Sequence, residues 1–301
     1  MAAVSIPQIS LPRASTISSR ARFSILRQAP ATSPAQFASR TQSQFLKGET
    51  MLLSTGSFFN NPNQGGGGGG GSDPYFANVV LLLGFEGSDG ATSTTDESPS
   101  AHSFTFNGNS QLDTAQAAFG VSSCLFDGTG DYLSTPDHAD WLLSSANSDT
   151  FTIEFWIRAH GNVSNQRVMG QAPAVGNWSW DINSSFSTGS GTGDVSFRYT
   201  SNGSTATVLT SASMSLDAWH YIAVSKNSAG KIRLWRDGTL DVSNTPANSA
   251  MFNSTGAFEI GRNFATANLN GWMDEIRITK GVCRYDTDES ITVPTAAFPR
   301  S

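Results

Sequence analysis

Residues 177–185, NWSWDINSS, hold the residue types best suited to gripping a sugar. Read as a strand, the segment alternates: Trp178 and Trp180 share one face, and Asn177, Ser179 and Asp181 share the other. Aromatic faces stack on sugar rings, while amides and carboxylates bond hydroxyls. The competing reading makes both tryptophans core residues. The run 184–193, rich in Gly, Ser and Thr, reads as a long loop beside them, and binding sites concentrate on such loops.

Catalytic and metal chemistry find less. Asp274 and Glu275 are adjacent, so on a regular strand they point to opposite faces and cannot act as a pair. No serine sits in a G-x-S-x-G elbow. His102, His138, His160 and His220 show no i, i+4 or other short-range pairing, which argues against zinc. Asp127, Asp131, Asp137 and Asp140 are the densest acidic run. Calcium needs several oxygens converging from loops, and no EF-hand spacing is present. The Asp127-Gly128 and Gly130-Asp131 steps serve equally as turn formers.

The elements that must position these residues are strands. Period-two alternation or continuous apolar character marks 79–86, 104–109, 122–127, 151–158, 167–170, 178–183, 195–200, 206–210, 219–226, 231–236, 258–261 and 271–279. Only 138–144 looks like a helical turn. Asp237-Gly238 after IRLWR signals a hairpin. In FTIEFWIR, Phe151, Ile153, Phe155 and Ile157 share one face, and Thr152, Glu154, Trp156 and Arg158 the other. Alternation also puts Met273, Glu275, Arg277 and Thr279 together. Glu154, Arg158, Arg233, Glu275 and Arg277 are therefore expected on one Trp-flanked sheet surface. That surface is either a glycan or protein platform or a cross-strand ion-pair network facing solvent.

Composition supports an all-β chain. Of 301 residues 14% are charged, turn formers are abundant, and every Trp and Tyr lies at or after Tyr75. The chain divides into an extended basic arm (1–64), a glycine-rich linker (65–74) that includes seven consecutive glycines, and a β domain (75–301). Residues 1–75 carry six basic and two acidic residues, a net of +4. The remainder carries 12 basic and 22 acidic residues, a net of −10. An acidic domain argues against nucleic-acid binding there. No apolar run is long enough to span a membrane. The arm lacks a basic n-region followed by an apolar core. It is acid-free until Glu49, as transit peptides and other basic arms are. Met51 is a second candidate start. Cys124 and Cys283 can make no disulfide framework; they read as two buried thiols.

The blocks FDGTGDYL (126–133), FTIEFWIR (151–158), WHYIAVSK (219–226), IRLWRDG (232–238) and LNGWMDEIRITKGVCRY (269–285) resemble, in order and wording, the laminin-G-like, concanavalin-A-like jelly-roll family that includes the pentraxins. The likeness covers roughly 75–299, and its nearest wording is that of modules in bacteriophage tail and virion-surface proteins. It implies a two-sheet antiparallel jelly-roll sandwich. It also implies neighbouring first and last strands, so that a Cys124–Cys283 bridge becomes a second reading, and calcium as the usual metal. Glycoside hydrolases sharing the sandwich are similar to one another in an E-x-D-x-E strand. No glutamate here begins that pattern. The resemblance points to a non-enzymatic virion protein of a tail, fibre or capsid decoration. Its arm would dock on other virion proteins, and its jelly roll, in multiple copies, would bind host-surface glycan or neighbouring proteins. A soluble or secreted calcium-dependent lectin is the alternative, and a glycan-active enzyme the remote one.

Overall fold

A computed structural model describes residues 72–161, 166–186, 192–262, 264 and 268–301. The arm, the seven glycines and part of the 184–193 run lie outside the described residues. The regular elements of the described residues are almost all antiparallel strands. The first eight are β1 (Val79–Leu83), β2 (Thr105–Asn107), β3 (Gln111–Asp113), β4 (Ser123–Asp127), β5 (Tyr132–Thr135), β6 (Phe151–Ala159), β7 (Gln166–Gly170) and β8 (Trp180–Phe186). There follow β9 (Thr192–Thr200), β10 (Ala206–Thr210), β11 (Met214–Ser215), β12 (His220–Lys226), β13 (Ile232–Arg236), β14 (Thr239–Asn244), β15 (Phe258–Ile260) and β16 (Asn270–Lys280). The helical turn expected at 138–144 is a 3-10 turn, Ala139–Trp141. Among the described residues no helix is long and apolar enough to cross a membrane.

The strands form two eight-stranded sheets packed as a jelly-roll sandwich. The first runs β14-β13-β12-β6-β16-β4-β3, with β1 also on β16; the second runs β10-β9-β8-β7-β15-β5-β2, with β11 also on β9. The FDGTGDYL turn carries the chain from β4 in one sheet to β5 in the other. The β13–β14 hairpin turns on Asp237 (φ 50°) and Gly238 (φ 80°), the two left-handed residues that such a tight turn requires. A Cβ on Gly238 would also meet Ile291 O at 2.5 Å.

Inward-facing side chains fill the space between the sheets. Phe151, Ile153, Phe155 and Ile157 of β6 all point there, as the period of two requires. Trp141 stacks on Phe258 with centroids 4.5 Å apart, and Trp180 lies 5.7 Å from the same ring. Removing each such ring from water is worth about 1.5–3 kcal/mol. A second apolar cluster lies on the outer face of the first sheet and contains Val79, Leu82, Tyr221, Trp235, Tyr285 and Phe298. Hence β1 is buried on both faces: Leu81 and Leu83 point inward, Val79 and Leu82 outward.

Among the described residues pairing slips in β1, β7 and the β13–β14 hairpin, and the slip that bears on the charged face lies in β16. Its pairing with β6 slips between Asp274 and Arg277, and Glu275 adopts φ 48°. This bulge leaves Met273 in the inter-sheet core but turns Arg277 and Thr279 outward. It also brings Asp274 and Glu275 to the same, outer face, correcting the expectation that neighbours diverge.

Candidate functional site

The structure separates the four residues of the NWSWDINSS motif. Trp180, the first residue of β8, enters the inter-sheet core and donates from Nε1 to Trp141 O at 2.8 Å. Trp178 precedes the strand, in a turn held by Ser179 N to Gln171 O at 2.9 Å. It is buried outside both core clusters, with the Phe264 ring against it at 5.8 Å and the Arg198 guanidinium over it at 5.7 Å. Asn177 is tied to a facing loop: its amide donates to Thr255 Oγ1 and accepts from Thr255 N, both at 3.0 Å.

Asp181 faces outward from β8, fully buried between two arginines of the neighbouring strands. Arg198 Nε donates to Asp181 Oδ1 at 2.9 Å, and its terminal nitrogen pairs with Oδ2. Arg167 Nη1 lies 3.6 Å from the same Oδ2, donates to Asn183 Oδ1 at 2.7 Å, and sits 5.5 Å from the Phe264 ring. Burial, and then the Arg198 charge, press Arg167 below the usual guanidinium value, and Asp181 opposes them. Two partly exposed guanidiniums backed by aromatic rings share one carboxylate, so the patch carries a net positive charge on an acidic domain. Guanidinium N–H groups beyond those given to Asp181 and Asn183 can bond a carboxylate or paired hydroxyls. Three loops adjoin it. Gly176 N bonds Gly203 O at 2.7 Å, and the Asn177–Thr255 pair binds the third loop, leaving Val175 76% exposed at the tip.

The charged face of the first sheet does carry a cross-strand ion pair, Glu154 of β6 with Arg277 of β16, but the face is covered and not solvated as expected. Residues 72–76 and 283–301 cover it. Glu154, wholly buried, accepts from Tyr221 Oη at 2.6 Å, Tyr285 Oη at 2.7 Å and Arg277 Nε at 2.9 Å. Asp73 accepts from Arg277 Nη1 at 3.1 Å and takes a bidentate pair from Arg284 at 3.0 and 2.6 Å. Burial alone would raise both carboxyls. The arginine partners (Arg284 at Asp73, Arg277 at Glu154) outweigh it and hold both below their usual range. Glu275 accepts from Phe298 N at 2.7 Å and Arg300 Nη2 at 2.6 Å. Arg233 pairs instead with Asp286 and Asp288, and Arg158 reaches Asp217 O. The five residues expected on one surface thus serve four separate intramolecular tasks: Glu154 and Arg277 share one cluster, and Glu275, Arg233 and Arg158 each find partners of their own.

A family model described as the concanavalin A-like lectin/glucanases superfamily matches residues 127–284, which is more than half of the chain. The chain belongs to that superfamily. Solved structures agree on the fold. The receptor binding domain of botulinum neurotoxin C/D mosaic serotype is 13% identical, with a TM-score of 0.52 over 71% of this chain and 50% of that one. The binding domain of Paraclostridial Mosquitocidal Protein 1 is 13% identical, with a TM-score of 0.52 over 70% and 51%. The botulinum neurotoxin serotype D/C binding domain is 15% identical, with the same TM-score over 71% and 51%. The chain spans about half the length of each. No curated protein matches it.

Within this superfamily scaffold the remaining candidates sort clearly. Cys124 and Cys283 are free thiols. Cys124 points into the inter-sheet core, whereas Cys283 lies across the same sheet near Ser225 Oγ at 3.5 Å, so no bridge joins them. The acidic run does not converge as a calcium site would need. Asp131 staples its own turn by accepting from Asp127 N at 2.8 Å, Asp137 accepts from Gln171 at 2.7 Å, and Asp140 joins His102 and His138. Asp274 is sealed beneath residues 115–119, accepting from Ala118 N at 2.8 Å and Phe119 N at 3.1 Å. Burial pushes its carboxyl up to about 8, with neighbouring Glu275 adding to the rise and the amide donors opposing it. A raised carboxyl can serve as a general acid, but this one opens onto no cleft.

Proposed function

We propose that this protein is a non-enzymatic recognition protein whose jelly roll binds glycan through the outer face of the second sheet. The observation that carries the reading is the Arg167–Asp181–Arg198 group. Its guanidiniums are oriented by a shared buried carboxylate and backed by Phe264 and Trp178, beside a polar loop cluster. Such a prearranged fork suits carboxylated or densely hydroxylated sugars. The neurotoxin and mosquitocidal neighbours, described as binding domains, support a recognition role for the fold. Against catalysis stands the enclosure of Asp274, the carboxyl raised furthest.

In the same reading residues 1–64 dock on a larger assembly, which the wording of the strand blocks suggests is a virion, as a tail, fibre or capsid-decorating component. The seven glycines would display the jelly roll away from that anchor. Several copies per particle would convert weak glycan contacts into firm attachment.

A glycan array probed with the full chain and with Arg198→Ala tests the platform. Binding to a sugar class that falls about tenfold or more in the variant is expected, on the scale of a lost charged hydrogen bond. Absence of binding to any glycan, with or without calcium, would refute it. Deleting residues 1–64 should leave a folded domain that no longer enters particles; continued incorporation would refute the anchoring role.

A further inference from the structure

We propose that His102, His138 and Asp140 form a site for a single transition-metal ion of the zinc type. The three residues come from two segments of the fold, the loop before β2 and the 3-10 turn after β5. His102 Nε2 lies 3.0 Å from Asp140 Oδ2, and His138 Nδ1 lies 3.2 Å from the same oxygen. All three ligand atoms fall within 4.8 Å of one another. Bonds of about 2.0–2.2 Å in a tetrahedron space ligand atoms by about 3.3–3.6 Å. Two edges of the triangle are therefore already close to length. Closing the third requires movement only of the imidazoles, and that of His138 is 54% exposed.

The proton arithmetic of the group also favours a cation. Asp140 Oδ2 accepts from Ser100 Oγ at 2.8 Å and receives the His102 ring nitrogen. His138 Nδ1 accepts the Asp140 backbone N–H at 3.2 Å. In the neutral ring that nitrogen then has no proton to give Oδ2, so two lone-pair atoms face each other 3.2 Å apart. A metal ion on Nδ1 would take the lone pair that now accepts the Asp140 N–H, exchanging that long hydrogen bond for bonds to both Nδ1 and Oδ2. Supporting contacts are present: Ser100 orients the carboxylate, the His102 ring packs on Trp141 at 4.5 Å, and Lys280 Nζ donates to Ala139 O at 2.6 Å, pinning the turn. Two imidazoles and one carboxylate are borderline ligands that suit zinc, nickel or copper, whereas calcium takes oxygen. Three protein ligands leave a fourth position for water or an external oxygen, on the exposed His138 side.

The test is calorimetric titration of the full chain with zinc at pH 7.5, read alongside thermal unfolding and quenching of Trp141 fluorescence by nickel. One equivalent per chain is expected, with a rise in Tm of about 5–10 °C at zinc about 100 times Kd. His138→Ala should weaken binding about tenfold or more, while loss of its cap hydrogen bond to Asp140 N lowers the metal-free Tm by no more than a few degrees, which the metal-free scan reads separately. Asp140→Asn should do the same to binding. His160→Ala and His220→Ala, at the two other His–Asp pairs, should change nothing. Absence of saturable binding up to about 1 mM zinc, or binding that survives both His138→Ala and Asp140→Asn, would overturn the proposal.

Discussion

Arg284 Nη2 lies 2.6 Å from Asp73 Oδ2 across 211 positions of sequence. Asp73 is one of the first described residues, and Arg284 follows the last strand. The pair, with Arg277 beside it, locks the entry of the chain to its exit over the outer face of the first sheet.

Asp73→Ala should therefore be costly although it lies at the edge of the domain. It strands two arginines, each with about 3% or less of its side chain exposed. Breaking a buried pair by removing one partner costs about 3–5 kcal/mol. Urea denaturation of the variant against the wild type measures this; a loss below about 1 kcal/mol, the scale of surface pairs, would show the cluster to be dispensable.

Tyr285→Phe removes one of the two phenols that donate to Glu154. A hydrogen bond to a buried charge is worth about 1.5–3 kcal/mol, and that loss is expected in the same assay. The parent phenol should resist ionisation at high pH, because burial, and then the Glu154 charge, drive it upward. Ultraviolet titration of the folded protein would show fewer than the five tyrosines ionising before alkaline unfolding.

Two pH windows follow with opposite signs. Asp73 and Glu154 are held below their usual range, so they bind fewer protons folded than unfolded. Their contribution is present above about pH 4 and is lost as pH falls through the folded values. Asp274, pushed up to about 8, behaves in reverse: its contribution is complete below the ordinary carboxyl value of 3.8 and declines as pH rises toward 8. Asp274→Asn keeps the shape and cannot ionise, so its stability should vary less between pH 4 and 8 than that of the wild type. Equal slopes in unfolding curves across that range would contradict the assignment.

Asp181→Ala leaves Arg167 and Arg198 as unshielded like charges. Both are partly exposed, so screening limits the loss to about 1 kcal/mol. Added salt should recover part of it, which distinguishes charge repulsion from lost packing.

The strands were legible because each buries one face and alternates, as FTIEFWIR does. The bulge was not legible. Nothing about Asp274 and Glu275 as residue types marks the slip, and alternation carried across them put Met273 and Arg277 on one face instead of two. The covering of the charged sheet was equally hidden, since it depends on where residues 283–301 fold back and not on the strand sequence. In NWSWDINSS, the alternation of Asp181 and Trp180 was readable, but Trp178 precedes the strand and follows a turn. The His102–His138–Asp140 group escaped a search for short spacings because His102 and His138 meet through tertiary structure; only His138 and Asp140, two residues apart, carried a local trace.

The same lock between chain entry and exit has a bearing on how the domain can be used. Asp73 N bonds Ser301 O at 2.6 Å, so a polypeptide continued from Ser301 would set out from the point where the domain was entered. A unit with abutting ends can be spliced into a surface loop of a host protein while spreading that loop by only a few ångströms, the arrangement under which domain insertion is best tolerated.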